Sequence, residues 1–336
     1  MPHRLESFLK RRLPGARSIT VGGYEPLLGG YTRLTARFRV SVDGVDTWHV
    51  VRGDPPPERS IADTDRNAEW RLLTSLHGLG EVPIPAPEHV DPDGSELGTR
   101  AIVSSFIPGD SLVARGRAAD EDELRRLSGS LAETAARIHR TDVTGLPGDL
   151  AVPDSWDSYL DSCIQRWRDL YATHVQSDPF LRYVASWLDR NRPPAAPLTL
   201  VHGDFQTSNI KCGPNGELIT FDWELGHIGD PREDLGWCLV NEAMQPPNLI
   251  GRDQDSFCAA YAEYSGLDRD VVNPRTLAYF AILSTITPCQ LSYPAIAAFA
   301  EGHSNSLQTA YVLGFVTTWH AQWLQAIGEL DLPPHP

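Results

Sequence analysis

Lysine is nearly missing from this chain: of its 29 basic residues only Lys10 and Lys211 are lysines, and the rest are arginine. Basic residues are also outnumbered by 44 acidic ones, and the formal net charge is -15 over 336 residues. Phosphate backbones are bound through clustered Lys and Arg, and no such cluster stands out, which argues against nucleic acid as a partner. An acidic surface serves solubility first, and it also tolerates a cationic small molecule. Cysteine is scarce too. Cys163, Cys212, Cys238, Cys258 and Cys289 lie far apart and form no C-x-x-C pair or Cys/His ligand cluster. They read as free buried thiols in a reducing, cytoplasmic compartment. The stretch Met1 to Pro14 lacks the continuous apolar segment of a secretory signal. Long apolar runs are absent as well. The most apolar stretch, Leu277 to Pro288, is shorter than the roughly 20 residues that cross a bilayer. It reads as one buried helix, so no membrane partner is expected.

What is present is a hydrophobic content of 41% with nine tryptophans, enough to build a real core in a globular protein. The length suits two joined domains. The first third is β-rich. Leu34 to Val42 alternates apolar with polar, Asp43-Gly44 supplies a tight turn, and Thr47 to Arg52 supplies the return strand of a hairpin. Asp65 to Leu79 places Ala68, Leu72, Leu73 and Leu76 at helical spacing. Two more strands are expected near Glu88 to Val90 and Arg100 to Phe106, before a break at Phe106-Ile107-Pro108-Gly109. From Glu121 the pattern turns helical, with Leu124, Leu127, Leu131, Ala135 and Ile138 on one face and large aromatics between Trp156 and Trp187. The division between the two parts is drawn at 1–105 and 106–336.

Short strands return between Leu198 and Phe221, and the chemistry concentrates there. His202-Gly203-Asp204 is followed by Asn209, then a Gly213-Pro214-Asn215-Gly216 turn, then Phe221-Asp222-Trp223. A strand, a loop and a hairpin thus carry three oxygen-bearing side chains. Phosphoryl transfer needs magnesium on the phosphates and a carboxylate that orients the attacking hydroxyl. Protein kinases use a catalytic Asp, an Asn five residues later and a further Asp on magnesium. Magnesium prefers such oxygen ligands and shares them with phosphates and water. On residue type alone His202 is a second candidate base.

The three blocks His202-Gly203-Asp204 with Asn209, Phe221-Asp222-Trp223-Glu224, and Gly229-Asp230-Pro231-Arg232-Glu233-Asp234-Leu235 resemble the aminoglycoside phosphotransferase and choline kinase family in order and spacing. More loosely, Leu28-Gly29-Gly30-Tyr31 looks like that family's phosphate-covering loop and Asn67-Ala68-Glu69-Trp70 like its first long helix. The run Asp222 to Gly226 and on to Gly236-Trp237 looks closest to the branch related to kinase domains fused to acyl-CoA dehydrogenases. The resemblance implies an α+β, two-lobed, protein-kinase-like fold, with a small antiparallel β lobe, a larger mainly helical lobe and nucleotide in the cleft. It further implies Mg2+ with ATP or GTP as co-substrate. Asp204 is then the base, Asn209 and Asp222 the metal ligands, and Asp234 and His202 the residues that steady the loop from below. Gly29, Gly30, Arg52 and Glu69 would serve the nucleotide.

One position departs from the pattern. Kinase-like small lobes carry a lysine that pairs with a helix glutamate; here Val50-Val51-Arg52 stands in that place. Arg52 keeps the charge and can pair with Glu69, but its planar fork is not a compact ammonium. The expected function is a small-molecule kinase, monomer or homodimer, whose acceptor is an aminoglycoside-like antibiotic or a hydroxylated metabolite. The alternative is a catalytically silent kinase fold that binds a nucleotide or metabolite. A metal-dependent hydrolase using Asp204, Asp222 and His202 is a further rival. Trp156, Tyr159, Trp167, Tyr171, Tyr183 and Trp187 read as core before pocket. Glu224 and Glu242 could draw in a cationic substrate, Asp230 reads as structural in its turn, and Lys211 reads as a solvated hairpin residue.

Overall fold

A computed structural model describes residues 1–27, 34–54, 65–174, 178–303 and 307–331. The chain begins with α1 (Pro2–Arg12), β1 (Ile19–Pro26), β2 (Leu34–Val42), β3 (Val45–Gly53), α2 (Arg66–Leu79), β4 (Pro87–Asp91) and β5 (Ala101–Ser105). It continues through α3 (Leu112–Ala118), α4 (Glu121–His139), α5 (Trp156–His174), α6 (Phe180–Arg190), β6 (Thr199–Val201), β7 (Ile210–Cys212), β8 (Leu218–Thr220) and β9 (His227–Gly229). The remaining helices are α7 (Arg232–Met244), α8 (Gln254–Ser265), α9 (Pro274–Leu283), α10 (Ile286–Ala300) and α11 (Leu307–Asp331). Two compact units result. One comprises Met1–Gly109, Gly145–Pro147 and Lys211–Leu225; the other comprises Asp110–Thr144, Gly148–Ile210 and Gly226–Pro336.

The first unit is built on an antiparallel five-stranded sheet of order β1-β2-β3-β5-β4. Alternation decides which face of β2 is inward: Ala36, Phe38 and Val40 are buried together with Leu5, Phe8 and Leu9 of α1 and Val51 of β3. The β2–β3 register pairs Val42 with Val45 across Asp43-Gly44. Both turn residues have positive φ, 50° and 87°, the conformation a two-residue hairpin of matching twist requires. Helix α2 starts where the Asp65 side chain accepts from Asn67 N and Ala68 N and stops at Gly80, which is left-handed. Leu72, Leu73 and Leu76 are buried as its spacing predicts, but so are Arg66 and Glu69 in its first turn.

The second unit is helical apart from the short antiparallel β6–β9 pair. One core cluster of this unit includes Trp167, Trp187, Phe280, Trp319 and Trp323. Of the six helical aromatics read as core, Trp167 and Trp187 are fully buried, whereas Tyr183 is exposed. The single helix expected over Leu277 to Pro288 is in fact two. Thr285 turns its hydroxyl onto Ile282 O at 2.6 Å, the chain breaks after Leu283, and Pro288 falls in the first turn of α10, where its missing N–H costs no helical bond. Four of the cysteines are buried and Cys212 is half-buried, all as free thiols. Among the described residues no helix is long and apolar enough to cross a membrane.

Glu242, read from sequence as an attractor for a cationic substrate, is instead buried near the end of α7. Its carboxylate accepts from Leu249 N and Ile250 N at 2.8 Å and Gly251 N at 3.2 Å, fixing the turn that follows. Burial pushes its pKa up to about 7 against the pull of those three amides. A carboxyl raised in the folded state contributes stability that is full below about pH 4.3 and lost as pH rises through about 7. Glu242→Gln is therefore expected to flatten the change in thermal midpoint between pH 4.5 and 7.5, as measured by calorimetry across that range.

Candidate active site

The site residues fall into two groups, one in each unit. In the first unit a chain of alternating charges runs from the sheet to the segment after β8. Arg52, on β3, donates through Nη1 to Glu69 Oε1 at 3.1 Å and through Nη2 to Asp222 Oδ1 at 2.5 Å. Glu69 also pairs with Arg66. Arg66 reaches Asp54 Oδ1 at 2.8 Å, and Asp54 Oδ2 accepts from Arg100 Nε at 2.7 Å. Glu69 and Arg66 are almost wholly buried, a condition charged groups tolerate only when paired in this way. The Arg52–Glu69 pairing anticipated from sequence is present. Arg66, Asp54 and Arg100 were missed, because ion pairs leave no periodic trace.

Asp222 has φ +72°, the left-handed region, without being glycine. Aspartate tolerates that conformation better than most residues, yet it still costs on the order of 1 kcal/mol. In this conformation its carboxylate meets Arg52. The preceding hairpin is shaped by Gly213 N donating to Glu217 O at 2.8 Å and by Gly216 at φ +88°. Lys211 is not the solvated residue its sequence position suggested. Its Nζ donates to Ile107 O at 3.0 Å and lies 5.0 Å from the Phe106 ring centroid, a cation–π placement that also covers the stem. Gly29 and Gly30 lie outside the described residues.

In the second unit the loop after β6 presents Asp204 and Asn209. Asp204 Oδ1 accepts from Gln206 Nε2 at 2.8 Å and from Trp237 Nε1 at 2.7 Å. Asp204 Oδ2 accepts from Asn209 Nδ2 at 2.6 Å, and the same amide nitrogen donates to Asp204 O at 3.0 Å. With its amide nitrogen so engaged, Asn209 has Oδ1 as the atom that could meet a cation. Asn209 Oδ1 and the Asp222 carboxylate are hard oxygen donors of the kind magnesium takes alongside phosphates and water. Among the described residues no group of three His, Cys, Asp or Glu is placed to hold a metal.

The loop hangs on Asp234. Its carboxylate accepts from His202 N at 2.8 Å, Gly203 N at 2.9 Å and His139 Nε2 at 3.1 Å. Burial pushes the Asp234 pKa up, but the bonds from His139, the charge of both histidines and the His202 amide outweigh it and hold it below the usual carboxylate range. His202 is fully buried and its Nδ1 accepts from Asp204 N at 3.3 Å. That geometry occupies the ring inside the loop. Asp230 is buried and takes Arg232 on both oxygens, at 2.9 and 2.7 Å, plus Trp156 Nε1 at 2.6 Å, the structural role expected of it. Trp237, Gln206 and His139 are the contributors that sequence reasoning missed. The available signal was the spacing of three between Asp234 and Trp237, which puts both on one face of a helix.

Comparison with known proteins bears on the family and the fold. The family model described as the APH phosphotransferase enzyme family matches residues 24–269. Over 194 residues the chain is 29% identical to acyl-CoA dehydrogenase family member 10 of Mus musculus, a match covering 56% of this chain and only 18% of the mouse protein. Among solved structures, a protein of Ralstonia eutropha assigned to the aminoglycoside phosphotransferases superposes with a TM-score of 0.73 at 19% identity, covering 97% of this chain and 98% of the other. A thermostable aminoglycoside phosphotransferase variant, solved with ADP and hygromycin B, gives 0.62 at 16% identity over 95% and 98% of the two chains. Identities this low speak for the fold, which is the α+β, protein-kinase-like one. Since the family match takes in well over half of its residues, the chain belongs to the APH phosphotransferase enzyme family.

Proposed function

We propose that the protein is a magnesium-dependent small-molecule kinase that moves the γ-phosphoryl group of ATP or GTP to a hydroxyl, with Asp204 as the base. The observation that carries this reading is the Asp204–Asn209 pair: one side chain holds the other's carboxylate at 2.6 Å and keeps an amide oxygen for a cation. Asp204 orients the acceptor hydroxyl and receives its proton as the bond to phosphorus forms. Asn209 and Asp222 would each offer an oxygen to magnesium, which would supply positive charge to the phosphate oxygens. Arg52, steadied by Glu69, adds positive charge toward the nucleotide phosphates. Asp234 and His202 keep the loop backbone in place.

Arg52 lies on Asp222 at 2.5 Å, so binding of the magnesium complex would exchange one cation on that carboxylate for another. Calorimetric titration of ATP and GTP, with and without magnesium, tests the reading. Binding is expected to require magnesium and to weaken at least tenfold in Asp222→Ala. Failure of both nucleotides to bind the unaltered protein would leave the silent kinase fold as the better description.

For the acceptor we favour a hydroxyacid or hydroxyacyl group over an aminoglycoside. The similarity to a protein named as an acyl-CoA dehydrogenase family member supports this, although the matched stretch is a small part of that protein. The acidic surface would suit a cationic antibiotic as well. Parallel transfer assays with hydroxyacids, hydroxyacyl-CoA thioesters, streptomycin and hygromycin B separate the two.

A further inference from the structure

Helix α7 reaches the loop of Asp204 at two points. Asp234, in its first turn, takes the backbone N–H groups of His202 and Gly203. Three residues on, Trp237 sends its indole N–H to the carboxylate of Asp204 itself, at 2.7 Å. One contact fixes the loop's main chain and the other its reactive side chain.

The helix is seated firmly enough to make this meaningful. Gly236, between the two contacts, lies so close to α9 that a Cβ there would stand 2.4 Å from Phe280 C and 2.5 Å from Ala281 N. Main-chain atoms cannot yield that space as a flexible side chain could, so the crossing fixes the rotation of α7 about its own axis and with it the heading of Trp237. Asn241 Nδ2 closes onto Trp237 O at 2.8 Å one turn later. Another donor to the same carboxylate oxygen, Gln206, sits two residues from Asp204 in the same loop, and it moves wherever the loop moves. Trp237 alone of these two ties the carboxylate to a helix outside the loop.

Resting on the kinase reading of this site, we infer that Trp237 is a positioning residue for phosphoryl transfer: its indole N–H sets the direction in which Asp204 meets the acceptor hydroxyl. Its ring also packs against the apolar cluster of the second unit. A core role needs only the ring, which phenylalanine supplies in large part. Directing a carboxylate needs the N–H, which phenylalanine lacks. A small misplacement of a catalytic group costs turnover steeply, about a hundredfold for an ångström.

Two measurements on the full chain test this. In 15N-labelled protein, Trp237→Phe identifies the Trp237 indole resonance among nine tryptophans. Asp204→Ala is expected to shift that resonance and to speed its exchange with water at least tenfold. In the second, Trp237→Phe is expected to lower kcat about 10- to 100-fold, for phosphate release to water from magnesium-ATP or magnesium-GTP and for transfer to an acceptor found by screening. The nucleotide KM stays within twofold and the thermal midpoint within about 3 °C. Trp237→His, which keeps a ring N–H, recovers at least threefold over the Phe variant. An indole resonance indifferent to Asp204→Ala, or equal kcat in Trp237→Phe and the unaltered protein, overturns the inference. So does a fall in kcat that only tracks a fall in thermal midpoint. Lack of nucleotide binding by the unaltered protein would sink the kinase reading instead, and the indole exchange would still decide whether Trp237 holds Asp204.

Discussion

Asp204→Ala is expected to lower kcat for transfer about a thousandfold while leaving the affinity for the magnesium-nucleotide complex within about threefold. General-base contributions commonly span about 10²- to 10⁴-fold, and a base that also orients the nucleophile sits well inside that range. Nucleotide affinity survives because Asn209 retains its bond to Asp204 O at 3.0 Å after the side chain is gone. Its oxygen therefore stays where a cation can use it. Asp204→Asn is a poorer control than its size suggests. Oδ1 already accepts from Gln206 and Trp237, and Oδ2 from Asn209, so a new NH2 group faces a donor whichever way it turns. The Asn variant is expected to lose thermal stability in addition to turnover. Single-turnover transfer kinetics beside calorimetric nucleotide titration decide the matter, and a kcat within tenfold of the unaltered protein would remove Asp204 from its role.

Asp234→Ala is expected to be the most destabilising single change in the site. It leaves three donors, His202 N, Gly203 N and the His139 ring, facing a buried gap. Each unsatisfied buried group costs about 1–3 kcal/mol, so the three together cost about 3–9 kcal/mol. For a unit of this size that lowers the thermal midpoint by about 10 °C or more. Turnover should fall with it, since the loop of Asp204 loses its anchor. The sign with pH follows from the lowered pKa of Asp234. An unfolded aspartate titrates near 3.9, so the stabilisation from this carboxylate is complete above about pH 4 and is lost as pH falls through the lower folded value. The gap in stability between the unaltered protein and Asp234→Asn should accordingly narrow on acidification below about pH 4. A gap that widens there would contradict the assignment of Asp234 as an ionised anchor.

Local pattern carried much of the fold. The β2–β3 hairpin was legible because alternation buries Ala36, Phe38 and Val40 on one face and Asp43-Gly44 accepts positive φ. Helix α2 was legible from its cap and spacing. Where pattern failed, a particular competing interaction won. The stretch from Leu277 to Pro288 read as one helix because Ser284 and Thr285 are tolerated inside helices, yet one helix ends at Leu283, the Thr285 hydroxyl closes onto Ile282 O, and the next helix begins at Ile286. Glu242 looked like any acidic residue on a helix until three amides from the following turn closed on it. Lys211 looked solvated until an aromatic ring and a carbonyl from residues more than a hundred positions earlier met it.

The sequence by itself determined the family and the chemistry it permits, because Asp204, Asn209, Asp222 and Asp234 stand in short blocks whose spacing is set by the loop and hairpin that carry them. It also determined that arginine, not lysine, stands at position 52. Only the tertiary structure decided what those residues lean on. Arg66, Asp54 and Arg100 complete the charge chain behind Arg52 and Glu69, while His139 and Trp237 come from separate helices to hold Asp234 and Asp204. Spacing along a chain can specify a loop's own geometry. Burial of charge and the direction of a carboxylate depend instead on groups brought from distant positions, and those are chosen by packing.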